Sequence, residues 1–195
     1  MAKLLFISHP DVVIDPERPV PSWRLSTRGI DRMRRFAERP DLKAIQKIWS
    51  STETKAIESA GVLAGVLGIG LSVDPRFNEI DRSATGFLSS GEHEAVADQF
   101  FALPNKSIHN WERAVDAQKR VVSALEAVTH RHQVGDIAIV GHGGVGTLLL
   151  CHLANLPISR DYDQPFQGHY WTYSLETNSI LHQWRMIAER DFAAA

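Results

Sequence analysis

The stretch KLLFISHP, residues 3–10, carries a short apolar run directly into a histidine. Residues 4–7 are all apolar, and Ser8, His9 and Pro10 follow at once. A run of this length that ends in polar and turn residues is typical of a buried strand. The sequence therefore predicts a strand over residues 3–8, with His9 at its carboxyl end.

Two further apolar runs end in the same manner. DIAIV, residues 136–140, leads into GHGG at residues 141–144, and IQKIW, residues 45–49, leads into SST at residues 50–52. Because ligands collect at the carboxyl ends of parallel strands, we expect these three loops to form one site. Together with the first run, the sequence predicts strands over residues 3–8, 45–50, 136–141, 170–175 and 180–186.

Helical patterns separate the strands. The spacing of apolar residues predicts helices over residues 26–39, 52–68, 111–131 and 145–156. Ser50 and Glu53 have the spacing of a capping box for the second helix, and Gly68 is its stop signal. Strands that alternate with helices indicate an α/β fold: a single three-layer domain over residues 1–195, with a mostly parallel sheet and helices on both faces.

Residues 80–110 show little periodicity and contain Gly86 and Gly91. The same stretch carries apolar side chains, including Phe87, Phe100 and Phe101. An irregular insertion with apolar residues is typical of a lid over a binding site, or of a loop that packs on the core. We predict a lid insertion here.

Composition excludes several classes of protein. The formal net charge of −2 is not that of a general nucleic-acid or membrane-surface binder. No apolar run reaches the roughly 18 residues of a membrane span. The single cysteine, Cys151, excludes an intrachain disulfide and a CxxC zinc site. We expect a cytoplasmic location and neither nucleic acid nor a membrane as partner; no feature indicates an oligomeric state.

The glycine-rich loop admits a second interpretation. GHGGVG, residues 141–146, matches the G-x-G-x-x-G pattern of dinucleotide sites. The bulky His142 would crowd a pyrophosphate, and Asp161 and Asp163 follow no predicted strand. The pattern therefore favours dinucleotide binding only weakly.

A metal site is a further alternative. Asp11 could orient the His9 imidazole, or could join His142 and Glu79 around a divalent ion. No H-x-E or H-E-x-x-H spacing supports such a site, so no metal is expected.

Five motifs taken in order resemble one known family. They are FISHP at residues 6–10, LSTRG at 25–29, SSTETK at 50–55 followed by SA at 59–60, FNE at 77–79 and VGHGG at 140–144. The chain is similar to the histidine phosphatase superfamily, also called phosphoglycerate mutase-like. Its members carry R-H-G, L-T-x-x-G, S-S-P-x-x-R-x-x-x-T-A, a glutamate and H-G-G in this order. The resemblance spans essentially the whole chain and implies the phosphoglycerate mutase-like fold.

The resemblance also implies roles for individual residues. His9 corresponds to the nucleophile that accepts a phosphoryl group, and Glu79 to the general acid that protonates the leaving oxygen. His142 corresponds to the second histidine of the pocket. Backbone N–H groups at Gly143 and near Thr52 would face the phosphate. No cofactor is implied.

The sequence departs from the family pattern at the phosphate clamp. Ser8 and Lys55 replace the two motif arginines, and Pro10 replaces the glycine after the nucleophile. A lysine is a point charge and a serine a neutral hydroxyl, whereas arginine grips phosphate with a planar fork. Ser8 and Lys55 thus become altered substrate contacts. The candidates for compensation are Arg82, and behind it Arg24, Arg28 and His169.

Two functions follow from these observations. The first is a metal-independent phosphohydrolase that acts on a phosphomonoester through a phosphohistidine on His9. The second is a degenerate pseudo-phosphatase that binds a small phosphorylated or other anionic ligand. A mutase would need more cationic contacts than the sequence offers. Retention of His9, Glu79 and His142 favours the enzyme.

Overall fold

The central sheet of the computed structural model has six strands within the described residues, 2–130 and 134–189. Its strand order is β3-β2-β4-β1-β5-β6. β3, β2, β4 and β1 run parallel, and β5 is antiparallel to both of its neighbours, β1 and β6. The strands are β1 (Lys3–Ser8), β2 (Ile45–Ser50), β3 (Leu71–Val73), β4 (Asp136–Gly141), β5 (His169–Ser174) and β6 (Ser179–Met186).

Helices cover both faces of this sheet. They are α1 (Thr27–Ala37), α2 (Thr54–Leu67), α3 (Ser90–Ala102), α4 (Ala114–His130) and α5 (Gly143–Leu153). Alternate side chains of β1 point to opposite faces. Leu4 and Phe6 join a core with α3, α4 and α5, and Leu5 and Ile7 join a core with α1 and α2. The predicted three-layer α/β fold with a mostly parallel sheet is confirmed.

The register of the central strands brings the predicted loops together. Ser8 lies opposite Gly141, and Ser50 lies opposite Val140. Beyond the strand ends, His9 N–H donates to the Gly141 carbonyl at 2.9 Å. The exits of β1, β2 and β4 therefore lie side by side at one edge of the sheet.

Two parts of the secondary structure differ from the sequence prediction. Residues 80–110 are not irregular throughout, because α3 forms within them. Ser89 and Glu92 make a capping box at its start, a signal that the sequence contains. The short edge strand β3 was not predicted, since three residues carry too little pattern to distinguish a strand.

The predicted capping box of α2 is wrong. The helix begins at Thr54 with Glu53 as its N-cap, and the Glu53 side chain makes no capping hydrogen bond. The Ser50 hydroxyl is buried without a hydrogen-bond partner in the described structure. Gly68 ends the helix in the left-handed conformation with φ of 68°, as predicted.

The remaining helices match their predicted ranges to within three residues at each end; residue 131, predicted as helical, lies outside the described residues. The part of the chain that the structure describes contains no helix long and apolar enough to cross a membrane.

Candidate active site

Two histidines meet at the carboxyl edge of the sheet. His9 follows β1 and His142 follows β4, and their ring centroids lie 5.3 Å apart. His9 is 7% exposed and His142 is fully buried. The site is thus built from strand exits, as the spacing of the motifs predicts.

The His9 ring is fixed by its own neighbour. Its Nδ1 lies 2.9 Å from the Pro10 carbonyl oxygen. A carbonyl only accepts hydrogen bonds, so Nδ1 carries the proton of the neutral ring and Nε2 keeps its lone pair. Burial, and then the nearby His142 and Lys55, hold the pKa of His9 well below its usual value. The ring is therefore neutral and nucleophilic at neutral pH.

His142 is anchored through one nitrogen only. Its Nε2 lies 2.8 Å from Ser51 Oγ and 3.6 Å from a carboxylate oxygen of Glu53. Its Nδ1 is buried and has no hydrogen-bond partner within the described residues. Burial, followed by the charge of Lys55, holds the pKa of His142 well below its usual value. The site contains a neutral second imidazole with an unsatisfied polar atom.

Glu79 lies at the N-terminus of α5. Its carboxylate accepts hydrogen bonds from the N–H groups of Gly144 at 3.2 Å, Val145 at 3.0 Å and Ile80 at 3.1 Å. Burial, and then the charge of Glu53, raise the pKa of Glu79 despite these donors. A carboxyl group with a raised pKa is suited to give a proton to a leaving oxygen.

The backbone donors differ from the expectation that they face a ligand. The N–H groups of Gly144 and Val145 serve Glu79, and that of Thr52 donates to Asn78 Oδ1 at 2.8 Å. Gly143 lines the larger cavity of the site, and within residues 2–130 and 134–189 its N–H forms no hydrogen bond. Gly143 is therefore the donor of this turn that a ligand can still use.

Glu53 is a site residue that the sequence analysis missed. Its buried carboxylate lies 2.5 Å from Lys55 Nζ and accepts the Glu79 N–H at 2.8 Å. The same carboxylate lies beside His142. In sequence Glu53 has the pattern of a helix cap, and only the tertiary structure shows that it contacts three predicted site residues. Its position two residues before Lys55 was the available signal.

The two altered clamp positions are engaged with the protein. The Ser8 hydroxyl donates to Gln164 Oε1 at 2.5 Å and accepts the N–H of His169 at 3.1 Å. Ser8 is fully buried and does not line the cavities of the site. Lys55 bonds Glu53 and the Val20 carbonyl oxygen at 3.0 Å. Neither position presents an unpaired charge.

Arg82 is the predicted compensating residue that retains a free charge. It lines both cavities of the site, and its charge acts on Glu79 and His142. In the part of the chain that the structure describes, its guanidinium forms no ion pair or hydrogen bond. The other candidates have protein partners: Arg24 pairs with Glu58, Arg28 pairs with Asp11, and His169 Nδ1 bonds the Phe166 carbonyl.

Asp11 does not have the role considered from the sequence. Its carboxylate pairs with Arg32 at 2.6 Å and with Arg28 at 3.0 Å, and Arg32 in turn bonds the Gly168 carbonyl. Two guanidinium groups thus hold Asp11, and the His9 ring is oriented by Pro10 instead. Among the described residues no group of three His, Cys, Asp or Glu side chains is arranged to hold a metal ion.

Two cavities meet beside His9 and Glu79. The inner cavity, of about 760 Å³, is lined by His142, Lys55 and Glu53. The outer cavity, of about 810 Å³, extends toward α3. Both are lined by His9, Glu79, Ile80 and Arg82. A group transferred at His9 therefore has room on two sides.

A family model matches this chain. Residues 20–177 match the model of the histidine phosphatase superfamily, branch 1. The chain belongs to this superfamily. The matched range begins after His9, which agrees with the departures at Ser8 and Pro10. No curated protein matches the chain.

Solved structures of this superfamily share its fold. YhfR of Bacillus stearothermophilus is 21% identical with a TM-score of 0.79, and the alignment covers 94% of this chain and 95% of that one. Mycobacterial glucosyl-3-phosphoglycerate phosphatase is 19% identical with a TM-score of 0.77, covering 97% and 100%. A putative α-ribazole-5'-P phosphatase of Escherichia coli is 16% identical with a TM-score of 0.75, covering 96% and 98%. Family membership supports phosphatase chemistry in general.

Proposed function

We propose that this protein is a metal-independent phosphohydrolase that acts on a small phosphomonoester through a phosphohistidine on His9. The observation that carries the proposal is the His9 ring, whose Nδ1–H bonds the Pro10 carbonyl at 2.9 Å and whose Nε2 keeps its lone pair beside the cavities. A neutral imidazole in a fixed orientation is an effective nucleophile toward phosphorus.

The first step transfers the phosphoryl group to the protein. The Nε2 lone pair of His9 forms an N–P bond as the P–O bond to the alcohol breaks. Glu79, whose raised pKa favours the protonated form, gives its proton to the departing oxygen. The alcohol leaves neutral, and phosphohistidine and a Glu79 carboxylate remain.

The second step hydrolyses the phosphohistidine. The Glu79 carboxylate takes a proton from a water molecule, whose oxygen forms a new bond to phosphorus. The N–P bond breaks and its electron pair returns to His9 Nε2. Inorganic phosphate leaves, and both residues recover their starting states.

Charge stabilisation falls mainly to Arg82. Phosphoryl transfer depends on positioning and on cations facing the phosphoryl oxygens. Lys55 is paired with Glu53, so the Arg82 guanidinium is the cation available at the junction of the cavities. The unpartnered Nδ1 of His142 and the Gly143 N–H add neutral polar contacts.

The similar structures are compatible with this proposal. Two of them are named as phosphatases of a glucosyl-3-phosphoglycerate and of an α-ribazole 5'-phosphate, both phosphomonoesters. We extend to this chain only the bond type that they share. We also propose that residues 80–110 act as a lid over the site. The proposed location of the protein is the cytoplasm.

The pairing of Lys55 favours a second candidate. A pseudo-phosphatase would bind a phosphorylated or other anionic ligand without transferring its phosphoryl group. Engagement of both clamp positions, Ser8 with Gln164 and Lys55 with Glu53, is the observation behind it. The two candidates differ in whether His9 becomes phosphorylated.

The test is hydrolysis of an aryl phosphate by wild type, His9→Ala and His152→Ala in the presence of a chelator. His152 is exposed on α5 and is the matched control. We expect turnover by wild type and His152→Ala, and its loss in His9→Ala. Equal turnover in His9→Ala contradicts the proposed nucleophile, and the absence of turnover in wild type favours the pseudo-phosphatase.

A further inference from the structure

The outer cavity is larger than a phosphoryl group requires. Its volume of about 810 Å³ lies in the upper part of the range of roughly 300–1,000 Å³ for small-molecule sites. It opens directly from His9 and Glu79. A substrate phosphorylated at His9 would therefore place its leaving group in this cavity, which we call the leaving-group chamber.

One wall of the chamber is apolar, whereas polar and charged side chains line much of the rest. On the apolar wall Trp23 and Phe87 pack against each other with ring centroids 5.7 Å apart and ring planes inclined by 54°, and Ile14 also lines the chamber. Phe87 is 39% exposed and Ile14 is 62% exposed. Contiguous exposed apolar surface beside a reaction centre marks a place where a ligand is covered from water. Below it lie Phe100 and Trp111, which are buried and fix the floor.

Two of the three arginines that line the chamber already have partners. Arg28 pairs with Asp11, and Arg160 pairs with Glu94 and Asp98. Within the described residues, this leaves Arg82 as the chamber's arginine without an ion pair, and it lies at the junction where the phosphoryl group would sit.

Within the described residues, a second anionic group on the leaving group would therefore find no unpaired arginine in the chamber apart from Arg82. It would instead meet the carboxylates of Glu94 and Asp11, which line the same chamber. One apolar wall beside charges that are already paired favours an uncharged group over an anionic one. The paired aromatic rings favour a flat aromatic group over a polyol.

We infer, on the basis of the proposed function, that the substrate is the phosphomonoester of an uncharged aromatic alcohol, with its ring against Phe87 and Trp23. The phosphoryl group then lies between His9 and Arg82. The leaving-group chamber determines which alcohol is accepted, whereas His9 and Glu79 carry out the reaction.

The test compares substrates of matched intrinsic reactivity. One pair is 2-naphthyl phosphate and 4-carboxyphenyl phosphate, and the other is 2-naphthylmethyl phosphate and glycerol phosphate. We expect kcat/KM to be higher for the naphthyl member of each pair by about tenfold or more, the value of one good aromatic contact. Phe87→Ala should remove this preference by lowering kcat/KM for the naphthyl esters more than for glycerol phosphate. Leu181→Ala, an exposed apolar change on β6, is the control.

The outcomes separate this inference from the proposed function. Hydrolysis with no naphthyl preference, or a preference that survives Phe87→Ala, overturns the inference and leaves the phosphohydrolase in place. If no ester is hydrolysed, binding of 2-naphthylmethylphosphonate and methylphosphonate is measured by calorimetry. Tighter binding of the naphthyl compound that Phe87→Ala abolishes supports the chamber, and equal binding overturns it.

Discussion

The buried pair of Glu53 and Lys55 leads to a prediction about stability. The two side chains are 7% and 5% exposed, and their charged atoms lie 2.5 Å apart. Glu53→Gln preserves shape but leaves the Lys55 ammonium without its carboxylate. Removing one partner of a buried pair costs roughly 3–5 kcal/mol. The Val20 carbonyl still accepts from Lys55, so we expect the low end, about 3 kcal/mol.

This cost is measurable by thermal and urea unfolding at neutral pH. For a domain of this size, each kcal/mol lowers Tm by about 2–4 °C, so Glu53→Gln should melt roughly 6–12 °C below wild type. Adding Lys55→Met removes the orphaned charge, and the double variant should regain about 1–3 kcal/mol. Asp116→Asn, which breaks an exposed pair with Arg113 that solvent screens, is the control and should melt close to wild type.

Either of two results would show that the Lys55 ammonium is not destabilised by loss of the Glu53 carboxylate. One is a Glu53→Gln variant as stable as the Asp116→Asn control. The other is a double variant less stable than Glu53→Gln alone, because an orphaned ammonium would then not be the source of the cost.

Three further predictions concern activity. Glu79→Gln should slow hydrolysis by roughly 10²–10⁴ for an alkyl phosphate and much less for a nitrophenyl phosphate, whose leaving group needs no proton; equal losses for both esters would argue against a general acid. Because Glu79 must be protonated for the transfer to His9 and its pKa is raised by burial and Glu53, kcat/KM should fall as pH rises through that pKa. Glu53→Gln removes a negative charge that raises the pKa of Glu79, so the fall in activity at high pH should move to lower pH. An unchanged pH profile would contradict the role of Glu79 as the general acid. Arg82→Ala should lower kcat/KM by about a hundredfold, the effect of one preorganised donor, with partial recovery in Arg82→Lys; unchanged steady-state kinetics would remove Arg82 from the phosphate contacts.

The strands at the parallel centre of the sheet could be predicted from the sequence. The ranges of β1, β2 and β4 match their predictions because each apolar run ends abruptly in polar or glycine residues. Helix α3 was not recognised, although its buried residues Val96, Ala97, Phe100 and Phe101 repeat with a spacing of four and lie on one face of the helix. Its start could have been found from Ser89 and Glu92.

The site was predictable where residues follow strands and not where they depend on tertiary contacts. His9 and His142 lie at strand ends, so pattern and register together place them side by side. The function of Glu53 depends on Lys55, Glu79 and His142 at once, and Glu79 and His142 are distant in sequence. The engagement of Ser8 by Gln164 joins residues 156 positions apart, which no local pattern reveals.

The most direct test of the account is detection of phosphate on His9. Wild type, His9→Asn and His152→Ala are mixed with an aryl phosphate, quenched in base within milliseconds and digested for mass spectrometry. We expect a base-stable, acid-labile phosphoryl group on the peptide that contains His9 in wild type and His152→Ala, formed as fast as the alcohol is released. Alcohol release without phosphohistidine, or phosphate found on a peptide that lacks His9, would contradict it.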